Sequence, residues 1–129
     1  MFDFVELREQ MRKTMRARHN LDRAKAITAR NAALSGYNSN ADKSMLDAAK
    51  AALLSAEADL EKMREELAPL LQDVPDETKR SALYLRYIKG ESVRRIAFEL
   101  IYSERYMFRL LEIAENDVNK TGQSGQSRT

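Results

Sequence analysis

The sequence predicts an all-α protein: an N-terminal long antiparallel helical hairpin, coiled-coil-like, followed by a C-terminal helix-turn-helix unit. Charged residues make up 33% and hydrophobic ones 43% of the 129 residues, the balance of helices with one buried stripe and one solvated face. Only four Gly and two Pro punctuate the chain, so few, long helices are expected. The apolar residues Leu46, Ala49, Leu53, Ala56, Leu60, Met63, Leu67, Leu70 and Val74 alternate steps of three and four, the narrow seam of a helix with one partner helix.

The first helix is expected from Asp3 to about Leu34, a stretch without Gly or Pro and rich in Arg, Ala, Met and Leu. Asp3 with Glu6 imitates a capping box. Its stripe reads Leu7, Met11, Met15, then Leu21, Ala24 and Ile27, with Arg18 as an interruption. Turn formers at 35–40 end it, with Gly36 suited to a left-handed cap. Asn40 or Asp42 caps the second helix, and Pro69 ends or kinks it. The short loop points to pairing with the first helix, although a second chain could also supply the partner. The hairpin is assigned residues 1–74.

A fresh helix start at Pro75-Asp76-Glu77, capped by Asp76, opens the second unit, residues 75–120. Its first helix runs to about Lys89, with Leu83, Leu85 and Ile88 available for burial, Tyr84 and Tyr87 at the core or its rim, and Gly90 as the stop. Ser92 caps a short helix to Leu100, and Ser103 caps another to about Asn119. The polar residues 121–129 have nothing to bury and are expected to be a disordered tail.

Several function classes fall away. Without Cys there is no disulfide framework, thiolate metal site or cysteine nucleophile. His19 is the one histidine and reads as a solvated side chain, so no metal or acid–base site is expected. Glu65-Glu66 and Asp76-Glu77 are sequence neighbours that diverge on a helix. No P-loop, dinucleotide fingerprint or nucleophile elbow occurs, so the chain is expected to be no enzyme and to use no cofactor. No apolar run reaches the roughly 20 residues of a membrane span, and the start MFDFVELREQMRK lacks a signal-peptide core. A cytoplasmic protein without a membrane partner is expected.

Residues 92–111 have the spacing of a helix-turn-helix: small Ala97 where two helices cross, Ile96 and Leu100 inward, a turn at Ile101, and Met107 and Leu110 filling the space between. The run Leu85-Arg86-Tyr87-Ile88-Lys89-Gly90-Glu91-Ser92, with Arg95-Ile96-Ala97, Leu100, Tyr102-Ser103, Met107, Arg109-Leu110 and Ala114, resembles region four of sigma-70-type factors. The helical front half and this unit together are similar to the late transcription regulators of Gram-positive phages of the RinA and ArpU type. The resemblance implies sequence-specific promoter binding, a prophage origin and a bacterial host cell. Two departures stand out. The family's turn Gly is replaced by Ile101, and since a β-branched residue at positive φ is an outlier, a distorted or differently built turn is expected. An acidic residue before Ile-Ala is replaced by Arg95, expected to add a phosphate contact.

Charge segregation points the same way. The net charge is +2, yet residues 79–109 hold eight basic and three acidic residues, residues 41–75 four basic and eight acidic, and residues 1–30 eight basic and four acidic. A basic reader and a hairpin of one basic and one acidic arm are expected. The candidate DNA-binding residues are Arg94, Arg95, Ser103, Glu104, Arg105, Tyr106, Phe108 and Arg109, with Arg109 foremost because an Arg on guanine is the commonest specific base contact. Double-stranded DNA is the expected partner, with RNA polymerase or a homodimer engaged through the hairpin. Two other readings fit the layout: a small terminase-like packaging or assembly protein, and a coiled-coil adaptor without DNA binding.

Overall fold

The computed structural model describes the backbone of residues 1–127 and the side chains of residues 1–120, and the described residues are helices and turns without a strand. The elements are α1 (Phe4–Ser35), α2 (Asn40–Leu71), α3 (Glu77–Leu83) continued by a π-helical turn (Tyr84–Ile88), α4 (Val93–Leu100) and α5 (Glu104–Ser127). The all-α class holds. Two compact units make up the chain: Val5–Lys62, and Met1–Phe4 with Met63–Thr129.

In the first unit α1 and α2 pair as an antiparallel hairpin. Gln10 Nε2 donates to the Ala56 carbonyl at 3.0 Å and Asn31 Nδ2 to Asp42 at 2.9 Å, so position rises on one helix as it falls on the other, and the long Arg18 side chain meets Glu57 at 3.2 Å. The seam is therefore used within the chain. From Val5 onward the buried residues of α1 are Leu7, Thr14, Leu21, Ala24 and Thr28, a heptad stripe. Met15 and Ile27, expected to be inward, are exposed; each lies one position away from a buried Thr, a turn of about 100° around the helix. Thr14 can be buried because its hydroxyl donates to the Gln10 carbonyl at 2.8 Å.

Gly36 takes φ +81 and ends α1, its N–H donating to the Ala32 carbonyl at 2.7 Å. The α2 cap is Ser39, one residue ahead of Asn40 and three ahead of Asp42, the expected candidates. Its Oγ accepts from Asp42 N at 3.1 Å while Asp42 accepts from Ser39 N at 3.3 Å, a reciprocal capping box with Asp as its third residue. Pro69 stands inside the last turn of α2, which closes two residues later.

In the second unit the end of α2 from Met63, then α3, α4 and α5, surround Leu67, Leu71, Val74, Leu83, Tyr87, Ile96, Met107 and Ala114, all buried. The 63–74 stretch, grouped with the hairpin in the sequence, is part of this core. Asp76 caps α3, accepting from Lys79 N at 3.0 Å. The π turn, closed by Lys89 N to the Tyr84 carbonyl at 3.0 Å, sets which ring goes inward. Tyr87 is buried, whereas Leu85 and Ile88, expected in the core, are only half-buried. Burial of the carbonyl end is offset by Arg64, whose Nε donates to Tyr87 O at 2.7 Å. At the other end of the chain, Phe2 N donates to Asn119 at 3.0 Å and the Phe4 ring lies 5.2 Å from that of Tyr87. α5 continues past the expected end at Asn119. The expected tail at 121–129 falls on residues whose side chains lie outside the described ones, its last two wholly so.

Two left-handed positions make a matched test. Gly90 has φ +74, and a Cβ there would come within 3.1 Å of the Arg64 guanidinium. Ile101 has φ 61 and ψ 49 with its side chain 89% exposed. An L-residue in this region costs about 1–2 kcal/mol. Gly90→Ala is therefore expected to destabilise by about 1–2 kcal/mol, and Ile101→Gly, which relieves strain without losing packing, to stabilise by about 1 kcal/mol after the flexibility of Gly in the unfolded chain is counted. Urea midpoints read both, and two changes of the same sign would contradict the argument.

Candidate nucleic-acid interface

Residues 92–118 are built for two helices to cross. Ser92 caps α4 through Arg95 N at 3.2 Å, and α4 buries Val93, Ile96 and Ala97 on one face. The chain then reverses through a Schellman turn: Tyr102 N donates to the Ala97 carbonyl at 2.8 Å and Ile101 N to the Phe98 carbonyl at 3.3 Å. The turn thus has the ordinary left-handed geometry, with Ile101 bearing the strain that Gly would avoid, and the expected distortion is absent. Ser103 caps α5, accepting from Tyr106 N at 3.1 Å, so its hydroxyl already has a structural role. Met107, Leu110, Leu111, Ala114 and Val118 face inward.

Packing on that side leaves Arg105 and Arg109 on the opposite face of α5, with Phe108 beside them and Glu104 at the first turn nearer the buried side, all exposed. Phe108 is 57% exposed, which makes it a projecting side chain and not a core one. Tyr106 stands further round the helix, its ring 4.9 Å from that of Tyr102. Arg94 is exposed on α4. Arg95 departs from expectation. Its Nε lies 3.1 Å from Glu99 and 3.6 Å from Glu91, so two carboxylates on its own helix side already balance its charge. A phosphate would have to compete with both.

Several cations of the 79–109 window are engaged within the chain. Lys79 pairs with Asp117 at 2.8 Å, and the hydrogen bond to that carboxylate holds its ammonium above the usual lysine range. Arg80 donates to the Val74 carbonyl at 2.9 Å and Arg86 to that of Glu91 at 3.0 Å. Lys89 lies 5.8 Å from the centre of the Tyr84 ring. With Arg95 paired as well, Arg94, Arg105 and Arg109 remain as the cations of this window that have no partner among the described residues. Three guanidiniums and an aromatic ring, on helices fixed by two serine caps, can meet a phosphate backbone and base edges.

Sequence reasoning did not single out Phe98, which is 84% exposed beside the turn; periodicity marks it only as an outward position. The described residues hold no group of acidic or His side chains able to bind a metal ion, and no helix among them is long and apolar enough to cross a membrane. Comparison with protein-family models, with curated proteins and with solved structures gives no match for this chain.

Proposed function

We propose that this chain is a sequence-specific DNA-binding transcription regulator of phage or prophage genes, in which α4, the Ile101 turn and α5 act as a helix-turn-helix and α5 enters the major groove. The observation that carries this reading is the outer face of α5: Arg105 and Arg109, one turn apart and without a partner among the described residues, lie beside the exposed Phe108. A surface evolved only for solubility has no need of a projecting phenyl ring beside two exposed guanidiniums. Buried Ala97 at the crossing and the reversed turn after Leu100 support the motif, as does the resemblance of residues 85–114 to sigma region four. The helical hairpin, whose seam is satisfied internally, would present its outer surface to RNA polymerase or to another copy.

Fragments selected from phage and host DNA, titrated at several salt concentrations, test the reading. Each neutralised phosphate contributes about 0.9 to the slope of log affinity against log salt. With three free guanidiniums the slope per bound chain is expected to be about 3, shallow for a DNA reader. Absence of any sequence preference at low salt would overturn the proposal.

A further inference from the structure

One face of the hairpin is an open groove of about 620 Å³, and every residue that lines it belongs to the Val5–Lys62 unit. Its floor is apolar. Ala17 and Ala24 of α1 line it with Ala49, Ala52 and Ala56 of α2, and Ile27, which the seam leaves 42% exposed, lies towards the α1–α2 turn. The α1 side adds Lys13, Arg16 and Arg23, whereas the α2 side adds no charge. Lys13 and Arg23 have no carboxylate partner among the described residues. Arg16 reaches Glu9 only at 3.8 Å, with both side chains well exposed, a pair that neutralises little. The acidic arm is engaged elsewhere: Glu57 pairs with Arg18, and neither residue lines the groove.

We infer that this groove seats an acidic amphipathic helix of a partner protein, its apolar ridge on the alanine floor and its carboxylates against Lys13, Arg16 and Arg23. The inference names the chemistry of a partner for the hairpin and holds whether or not α5 reads DNA. Shape selects a helix. From Lys13 to Ile27 the groove runs about 21 Å, or about four helical turns. Its lining residues step by three and four along both walls, through Ala17, Asn20, Ala24 and Ile27 on one and Met45, Ala49, Ala52 and Ala56 on the other, the spacing that takes the ridge side chains of a third helix. Charge selects an acidic one, because all the charge on the lining is positive and unopposed from α2. A nucleic-acid duplex, with phosphate and sugar outermost, brings no apolar ridge to such a floor. A second copy does not complete it either: Leu54 is the one large apolar side chain exposed on the acidic arm α2, too little for a ridge of about four turns.

Fluorescence anisotropy of two labelled designed helices, each of about four turns, titrated with the full chain tests this. Both helices carry leucines at i, i+3, i+4 and i+7; one has glutamates on the flanks of that stripe and its twin has lysines. The acidic helix is expected to bind at least about tenfold more tightly than its twin. Ala52→Arg, at an exposed position in the groove, is expected to weaken that binding by about as much. Since the change adds a positive charge, it separates seating in the groove from plain attraction. Arg16→Glu combined with Arg23→Glu, both at exposed positions, should turn the preference to the lysine twin. Thermal melts confirm that the variants fold. Failure of both helices to bind at millimolar concentration, binding of the acidic helix unchanged or strengthened by Ala52→Arg, or a preference that survives the double change would each overturn the inference. So would self-association of the free chain that Ala52→Arg abolishes, since a second copy would then hold the groove.

Discussion

Tyr87→Ala is expected to remove about 3–5 kcal/mol of stability, the range of a large aromatic truncated in a packed interior, a large part of the margin of about 5–15 kcal/mol that an ordinary domain has. The ring is 1% exposed and meets Phe4 at 5.2 Å, tilted by 45°, while the Arg86 guanidinium lies 5.9 Å from its centre. Truncation would open a cavity that the neighbouring helices can close only in part. Tyr84→Ala is the control. Tyr84 begins the same π turn but is 43% exposed, and its loss should cost about 1 kcal/mol, including its contact with Lys89. Denaturant unfolding of the two variants measures the difference, and equal losses would mean that the π turn does not select Tyr87 for the core.

That selection marks where sequence reasoning stops. Most helix ends were legible, the α2 cap and the end of α5 excepted, because their signals are local: Gly36, Asp76, Gly90, Ser92 and Ser103 act within a few residues, through caps and left-handed turns. Burial inside a helix depends on phase. In α1 the buried Thr14 and Thr28 replaced Met15 and Ile27, because a hydroxyl bonded to its own helix can face a partner and a polarity pattern does not register it. Between Tyr84 and Ile88 the π turn adds a residue to the repeat, rotating Tyr87 inward at the expense of Leu85 and Ile88. The charge count of 79–109 is limited for a related reason. Which cations are free is decided by tertiary neighbours such as Asp117 and the Val74 carbonyl, and composition does not show them. The turn at Ile101 is the reverse case: residue preference argued against the left-handed conformation, and the packing of α4 on α5 through Ile96, Ala97 and Met107 prevailed over a local cost of about 1–2 kcal/mol.

If the outer face of α5 reads DNA, Arg109→Ala should weaken binding to a selected site by about 1–3 kcal/mol, roughly ten- to a hundredfold, and relax preference at one base pair. The double change Arg105→Ala with Arg109→Ala should lower the salt slope by up to about 2, since each guanidinium without an internal partner stands for at most one neutralised phosphate. Arg95→Ala separates this from a general loss of positive charge. It removes the same formal charge, but from a side chain already held by Glu91 and Glu99, and because it leaves those carboxylates unbalanced its effect on affinity should be no more than that of any added negative charge, without change in base preference. Stability should be nearly untouched in all three variants, as each side chain is exposed. Fluorescence anisotropy on the selected site and on single-base variants of it distinguishes the outcomes. A uniform loss across all sequences would make α5 a backbone binder only, while equal effects of Arg95 and Arg109 would remove the reason for assigning the reading face to α5.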